Sequence, residues 1–228
     1  VLAIDLFGLS ESEVRHGFPS IYQHLVDSVK PERDQNNRES YRKKWWIHGE
    51  PRKDLRPALD GLSSYVATVE TSKHRFFCQL DRGILPDNKL VVIALPTNES
   101  FSILSSKIHL SWALRSGSQL GPTPVYVKSI SFDAFPFPDL TDPQRAHLLQ
   151  LGEDLDAHRK RQQAAHPKLT LTQMYNVLEK LRANDVIEGK DREIYDQGLI
   201  GILRDLHDQI DAAVADAYGW PVDLPDEE

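Results

Sequence analysis

Apolar positions along this chain follow two different periods, and the change falls at "SFDAFPFPD", Ser131–Asp139. Upstream, "SYVATVET" (Ser64–Thr71) sets Tyr65, Ala67 and Val69 on one face and Val66, Thr68 and Glu70 on the other. That is the two-residue period of a strand. "RFFCQLD" (Arg75–Asp81) continues the sheet, and "KLVVIAL" (Lys89–Leu95) reads as a buried strand entered through the turn "PDNK" (Pro86–Lys89). In "SFSILSSKIHLSWALRSG" (Ser100–Gly117) the spacing becomes helical, through Ile103, Leu104, Ile108, Trp112 and Leu114, and Gly117 stops it. Pro124–Phe135 then reads as extended. Nearer the start, Ser10 with Glu13 makes a capping pair and predicts a helix around Pro19–Val29, while the opening "VLAIDLFG" is strand-like.

Downstream every apolar stripe is helical. "TDPQRAHLLQLGEDLDAHRKRQQAA" opens on Thr141 and an early proline, both N-terminal signals, and carries Leu148, Leu149, Leu151 and Leu155. A second helix runs through Met174, Val177, Leu178 and Leu181. A long third one runs through Ile194, Leu199, Ile202, Leu203, Leu206, Ile210 and Val214, and the tail "PVDLPDEE" reads as frayed. Between the two halves, Pro136 and Pro138 forbid a helix interior and a central strand alike, so Ser131–Asp139 is expected to be an extended seam docking three phenylalanine rings. The expected fold is α+β: a mixed β-sheet domain over residues 1–140, followed by an all-α helical bundle over 141–228.

Charge changes that picture because it is unevenly divided. Residues 1–140 hold 17 Lys+Arg against 16 Asp+Glu, whereas 141–228 hold 10 against 18. A polyanion partner is therefore expected to meet the first half and avoid the second. One cysteine, Cys78, excludes an internal disulfide and fits a reducing cytoplasm. No apolar run approaches the roughly 18 residues of a membrane span. The chain opens without methionine or a basic leader and is read as a piece of a longer protein.

Candidate chemistry is sparse. Nine histidines and one cysteine form no CxxC or HExxH, so no metal site is predicted. A metal-dependent nuclease would place glutamate and lysine two apart on one strand face; Glu70 and Lys73 are three apart, after Asp60. No glycine-rich phosphate loop and no nucleophile elbow is present. Catalytic residues are expected to be absent. Cations mixed with amides and hydroxyls are better represented: Arg42, Lys43 and Lys44; Lys73, His74 and Arg75; Asn88 and Lys89; Arg115, Gln119, Thr123 and Lys128. Such groups grip phosphates and read base edges, and here they fall at turns and element ends. They are the candidate DNA-binding residues. "WWIHGEPR" (Trp45–Arg52) reads instead as a packed corner, and the acidic helices leave a protein-docking scaffold as the alternative.

Several of these segments, taken in order, resemble one family. "ERDQNNRESYRKKWWIHGEPRKDLRPAL", "YVATVETSKHRFF", "ILPDNKLVVIAL", "LSSKIHLSWAL" and "FDAFPFPD" are similar to the C-terminal part of MmeI-like (type IIG/IIL) DNA adenine-N6 methyltransferases of restriction–modification systems. In that family a recognition region ends in a Phe-Pro-aromatic-Pro motif, matched by Phe135–Pro138. "LDAHRKRQQAAHPKLTLTQMYNVLEKLRA" resembles the helical segment that follows.

The resemblance implies a target-recognition domain that reads double-stranded DNA, with a helical region behind it. It also implies an upstream methyltransferase domain in the same parent chain, and a parent that uses S-adenosylmethionine. The family's Asn/Asp-Pro-Pro-Tyr/Phe motif and its glycine-rich cofactor motif are both absent from these 228 residues. No cofactor is expected to bind here. Calorimetric titration of the chain with S-adenosylmethionine should accordingly show no saturable heat, and micromolar binding would reveal a pocket that the motifs do not announce.

Overall fold

The computed structural model describes residues 3–95 and 98–221. It divides into two compact units, one up to Asp60 and one from Gly61 onward. The expected boundary at 140/141 instead runs through the interior of the second unit.

The first unit is helical. Helices α1 (Glu11–Gly17), α2 (Pro19–Ser28), α3 (Lys30–Asp34), α4 (Glu39–Lys43) and α5 (Leu55–Ala58) surround a small core of Leu6, Val14, Leu25 and Trp45. The predicted capping box is present: Ser10 Oγ accepts from Glu13 N, and the Glu13 carboxylate accepts from Ser10 N. Such a cap stabilises a helix by about 1 kcal/mol. Pro19 begins α2 because a first-turn proline loses no helical hydrogen bond. Trp45 is buried and meets Tyr22 and Trp46 edge-on, as the packed-corner reading requires. The strand-like opening is not a strand: Ala3–Leu6 pair with nothing in a ladder, and Val1 and Leu2 lie outside the described residues.

The second unit carries a three-stranded antiparallel sheet in the order β2 (Cys78–Asp81), β1 (Ser64–Val69), β3 (Leu90–Ile93). The middle strand is buried from Tyr65 to Thr68, on both faces, so its alternation does not mark a wet side. Helices α6 (Asn98–Ser105) and α7 (Lys107–Ser116) follow; the single helix expected there is broken at Ser106. Ser106 has extended backbone and its hydroxyl caps α7 by accepting from His109 N. A two-stranded ribbon, β4 (Ser118–Leu120) and β5 (Thr123–Val125), comes next. The segment expected to be extended as far as Phe135 instead coils into a π-helical turn at Lys128–Phe132.

Helices α8 (Asp142–Ala165), α9 (Leu171–Arg182), α10 (Gly189–Gly198) and α11 (Ile200–Tyr218) complete the unit. Capping boxes at Thr141/Gln144 and Thr170/Gln173 start α8 and α9. The long third helix predicted from Lys190 is two helices, because Leu199 turns left-handed at φ 46°. Gly198 permits the break: a Cβ there would stand 2.7 Å from Ile200 Cδ1 and 3.3 Å from Met174 Cγ. The tail beyond Pro221 lies outside the described residues.

One apolar core joins sheet and helices, from Val66, Phe77 and Ile93 through Phe101, Leu104 and Phe135 to Leu148, Met174, Leu203 and Val214. The amphipathic stripes of α8–α11 therefore close on the sheet and on α6 as well as on one another. Of the three seam rings only Phe135 is fully buried, edge-on to His109 at 4.4 Å, while Phe137 stays exposed. Burying one such ring contributes roughly 2 kcal/mol. The seam is fixed further by Tyr218 Oη, which donates to Pro136 O at 2.7 Å.

Three histidines are enclosed in this core. His109, His158 and His207 are all buried. Burial pushes His109 down to about 3, with Arg75 adding to it, and burial also lowers His158 and His207. Below pH 6.5 the unfolded chain takes up protons that these imidazoles refuse, so their contribution is complete above pH 6.5 and is lost as pH falls below it, for His109 down to about 3. Asp211 acts oppositely: burial raises it to about 6, so its contribution is lost as pH rises from 3.8 through 6. Near pH 5 the opposite effects of His109 and Asp211 nearly cancel, and the lowered His158 and His207 tip the balance, so stability should fall as pH drops from 7 to 5. Urea midpoints at pH 7, 6 and 5 measure this; an unchanged midpoint would mean that the imidazoles are protonated in the fold.

Candidate nucleic-acid interface

Three of the segments rich in candidate residues meet at one end of the sheet, around Glu70–Ser72. Glu70 N donates to Lys89 O at 2.9 Å, and Tyr126 N donates to Glu70 O at 2.8 Å. Thr71 bridges to Val125, and Ser72 N donates to Pro124 O at 3.3 Å. The Ser72–Arg75 loop, the Asp87–Lys89 turn and the β4–β5 ribbon are thereby held side by side by backbone bonds, which do not depend on the identity of the exposed side chains.

Each loop has a local cause. In the turn, Asp87 Oδ1 accepts from Lys89 N at 2.9 Å, closing an Asx-turn. Asp87 thus makes the turn, and Asn88 and Lys89 are exposed on it. The ribbon closes through Gly121-Pro122. Gly121 has φ 61°, and proline cannot follow it into positive φ, which selects a type II′ turn. All of β4 is exposed, including Gln119, while Thr123 is half-buried. Gly117 is required where α7 passes the ribbon, since a Cβ there would stand 2.8 Å from Val125 O.

Arg75 belongs to the interior. It is buried, and its guanidinium donates to Val69 O, to Thr68 Oγ1 at 3.1 Å, to Glu70 O at 3.2 Å and to Pro124 O at 3.4 Å. The same group lies over the Tyr126 ring at 5.2 Å. Burial lowers its pKa. Its donors are spent on the end of β1 and on the ribbon, so Arg75 is removed from the exposed candidates and instead clasps the sheet end to the ribbon.

The other candidates sit differently. His74 is not a free surface group: Nε2 lies 2.7 Å from Asn176 Oδ1, and the side chain is half-buried against α9. Lys73 reaches Glu179 on the same helix at 2.7 Å and remains exposed. The hydrogen bond from Lys73 holds the Glu179 carboxyl below its ordinary value. Lys128 pairs with Asp133 across the π-turn at 2.8 Å, and Arg115 is exposed in the last turn of α7. Arg42, Lys43 and Lys44 belong to the first compact unit; Lys43 pairs with Glu39, and Arg42 donates to Asn36 O. Sequence reasoning missed Glu70 and Tyr126, whose backbone groups join the loops. Only the tertiary pairing reveals them.

No group of three or more potential metal ligands occurs among the described residues. No helix of the described residues is long and apolar enough to cross a membrane.

A fold of this kind, a small antiparallel sheet closed by a helical region, is found within a restriction–modification enzyme. That enzyme is the type IIL protein MmeI, solved in complex with DNA. It matches with a TM-score of 0.66 over 99% of this chain, at 18% identity. At that identity the likeness is one of fold. The chain spans 27% of the MmeI length. No protein-family model and no curated protein matches it.

The geometry around Arg75 has a measurable consequence. Arg75→Met should destabilise the chain by about 3 kcal/mol, since buried carbonyls lose charge-assisted donors. Arg75→Lys should recover little, because one ammonium cannot span the same acceptors. Urea denaturation tests both; a loss below about 1 kcal/mol for Arg75→Met would show that water satisfies these carbonyls equally well.

Proposed function

We propose that this chain is a sequence-specific DNA-recognition module belonging to an S-adenosylmethionine-dependent adenine-N6 DNA methyltransferase of restriction–modification type. The observation that carries the reading is the convergence of the Asn88–Lys89 turn, the Gln119–Thr123 ribbon and the Lys73 loop on one end of a rigid sheet. Its support is the fold shared with MmeI, a protein solved with DNA, and the motif resemblance that runs through the same residues.

In this reading the methyl transfer belongs to an upstream domain of the parent chain, as does the cofactor, and the setting is the cytoplasm. The described residues supply recognition only. A two-stranded ribbon fits the major groove, where every base pair presents a distinct pattern of donors and acceptors. Gln119 has the bidentate amide that suits adenine, Lys89 has an ammonium that reaches guanine, and Asn88 and Thr123 are smaller readers beside them. Lys73, Arg115 and Lys128 supply phosphate contacts, which set register without reading sequence. Arg42, Lys43 and Lys44 have the same chemistry in the other unit. The alternative of a protein-docking scaffold has in its favour the exposed Leu149, Val186, Leu199 and Ile202 of the helical region. The stripes of those helices are otherwise spent in the shared core.

The test is selection of duplexes from a randomised pool by the 228-residue chain, followed by sequencing. Wild type should enrich one motif. Gln119→Ala and Lys89→Ala should each relax a different base pair, by roughly 5- to 150-fold for a contact of about 1–3 kcal/mol, without abolishing binding. Neutralising acidic residues of α10 should leave the motif unchanged. Enrichment of no motif, or of an identical motif by both variants, would place the reader elsewhere.

A further inference from the structure

The first compact unit contains a cleft that the DNA-reading loops do not use. It has a volume of about 440 Å³ and is walled by Arg38, Tyr41, Lys44, His48, Arg52 and Lys53, among others. We propose that this cleft is a phosphate-binding site.

Charge is the first argument. The cleft is lined by Arg38, Lys44, Arg52 and Lys53 against two acids, Glu50 and Asp54. Glu50 is already committed: it pairs with Arg38 at 3.1 Å and accepts from Tyr41 Oη at 3.2 Å. Asp54 is the remaining acid on the cleft. Against it stand Lys44, Arg52 and Lys53, whose side chains form no ion pair among the described residues. His48 is engaged through Nε2 with Ile4 O at 3.1 Å, so the cations of the cleft are the arginines and lysines. The net field in the cleft is positive, and a tetrahedral anion is the ligand that multiple convergent cations satisfy.

Backbone geometry is the second argument. Arg52 stands at φ 52°, a left-handed conformation that costs an arginine free energy with no hydrogen bond from its side chain in return. Glycine or asparagine is the ordinary occupant of such a position. The opposite wall is built as deliberately. A Cβ on Gly49 would stand 2.5 Å from Tyr41 Cζ, so glycine is needed for the ring to lie across the chain. Arg33 and Arg38 stack on that ring at 4.8 and 5.3 Å, holding it in place.

The phosphate can come from a DNA backbone or from a free phosphorylated compound, and the experiment separates them. Backbone amide resonances of residues 48–54 in the full chain are followed by NMR while pyrophosphate, and separately a duplex DNA, is titrated in. Saturable shifts confined to the cleft are expected with at least one probe. Shifts with both assign the site to phosphate in general, and shifts with duplex alone assign it to the DNA backbone. Arg52→Gly suits the left-handed backbone, so it should fold with unchanged or higher thermal stability while binding the probe roughly tenfold more weakly. Lys53→Gln should weaken it comparably, and Arg52→Lys should retain part of the affinity. These resonances lie outside the loops assigned to base reading, so loss of sequence selectivity with cleft binding intact would sink that assignment alone. No saturable shift with either probe, or full affinity in Arg52→Gly, overturns the cleft.

Discussion

The second unit depends on two buried guanidinium groups that have no ion-pair partner among the described residues. Arg75 and Arg159 are each buried and held by carbonyls, hydroxyls and ring faces, with Asp156 acting on Arg159 only beyond ion-pair distance. Arg159 donates to Phe77 O at 2.8 Å and to Tyr175 Oη, and it lies over the rings of Phe101 and Tyr175. Burial pushes it down to about 10, which still leaves it charged at neutral pH. Removing a charge from water is costly, and such an arrangement persists only where a fixed set of acceptors takes the place of water. A lysine has three donors on one atom; arginine has five in a planar fork and can hold several chain segments at once.

What these two groups hold explains why the halves of the sequence do not separate. Arg159 stands on α8 and reaches back to the strand-side backbone at Phe77, while Phe76 stacks on Tyr175 of α9 at 5.1 Å. Arg75 holds the sheet end to the ribbon. Between them the chain from Thr68 to Phe77 is pinned from both directions. The composition changes at residue 140, but the contacts do not. An amphipathic helix announces that it has an apolar face without announcing what covers it. Here the sheet and α6 cover it, so a boundary placed where the period changes falls inside a core.

Features written in neighbouring residues were legible. The Ser10/Glu13 box, the Thr141 start of α8, the stop at Gly117 and the turn before β3 all follow from side chains bonding their own backbone within three or four residues. The α+β class followed from the two periods. Features requiring a distant partner were not legible. Arg75 lies in the same tetrapeptide as exposed Lys73, and only the arrival of Pro124 and Tyr126 turns it inward. Leu199 continues a perfect helical spacing, and the break shows only because Gly198 is pressed against Met174. Of the candidate DNA-binding residues, Asn88, Lys89 and Gln119 are exposed where turn chemistry placed them, while Thr123 is half-buried. The Ser72–Arg75 cluster proved to be three different kinds of residue.

Within one loop, then, three neighbouring side chains are held by bonds of very different strength. Arg75 is bound by acceptors that cannot leave, because they are backbone. His74 is half-committed, to an amide on α9. Lys73 is held by a single exposed carboxylate, and a pair of that kind is worth only about 0–1 kcal/mol in water. A phosphate brings two or more oxygens and releases condensed counterions, so it can take Lys73 from Glu179 at little cost. In the proposed DNA-reading role, Glu179 would hold the lysine extended over the loop until an anion arrives: it is close enough to orient the lysine and too exposed to keep it.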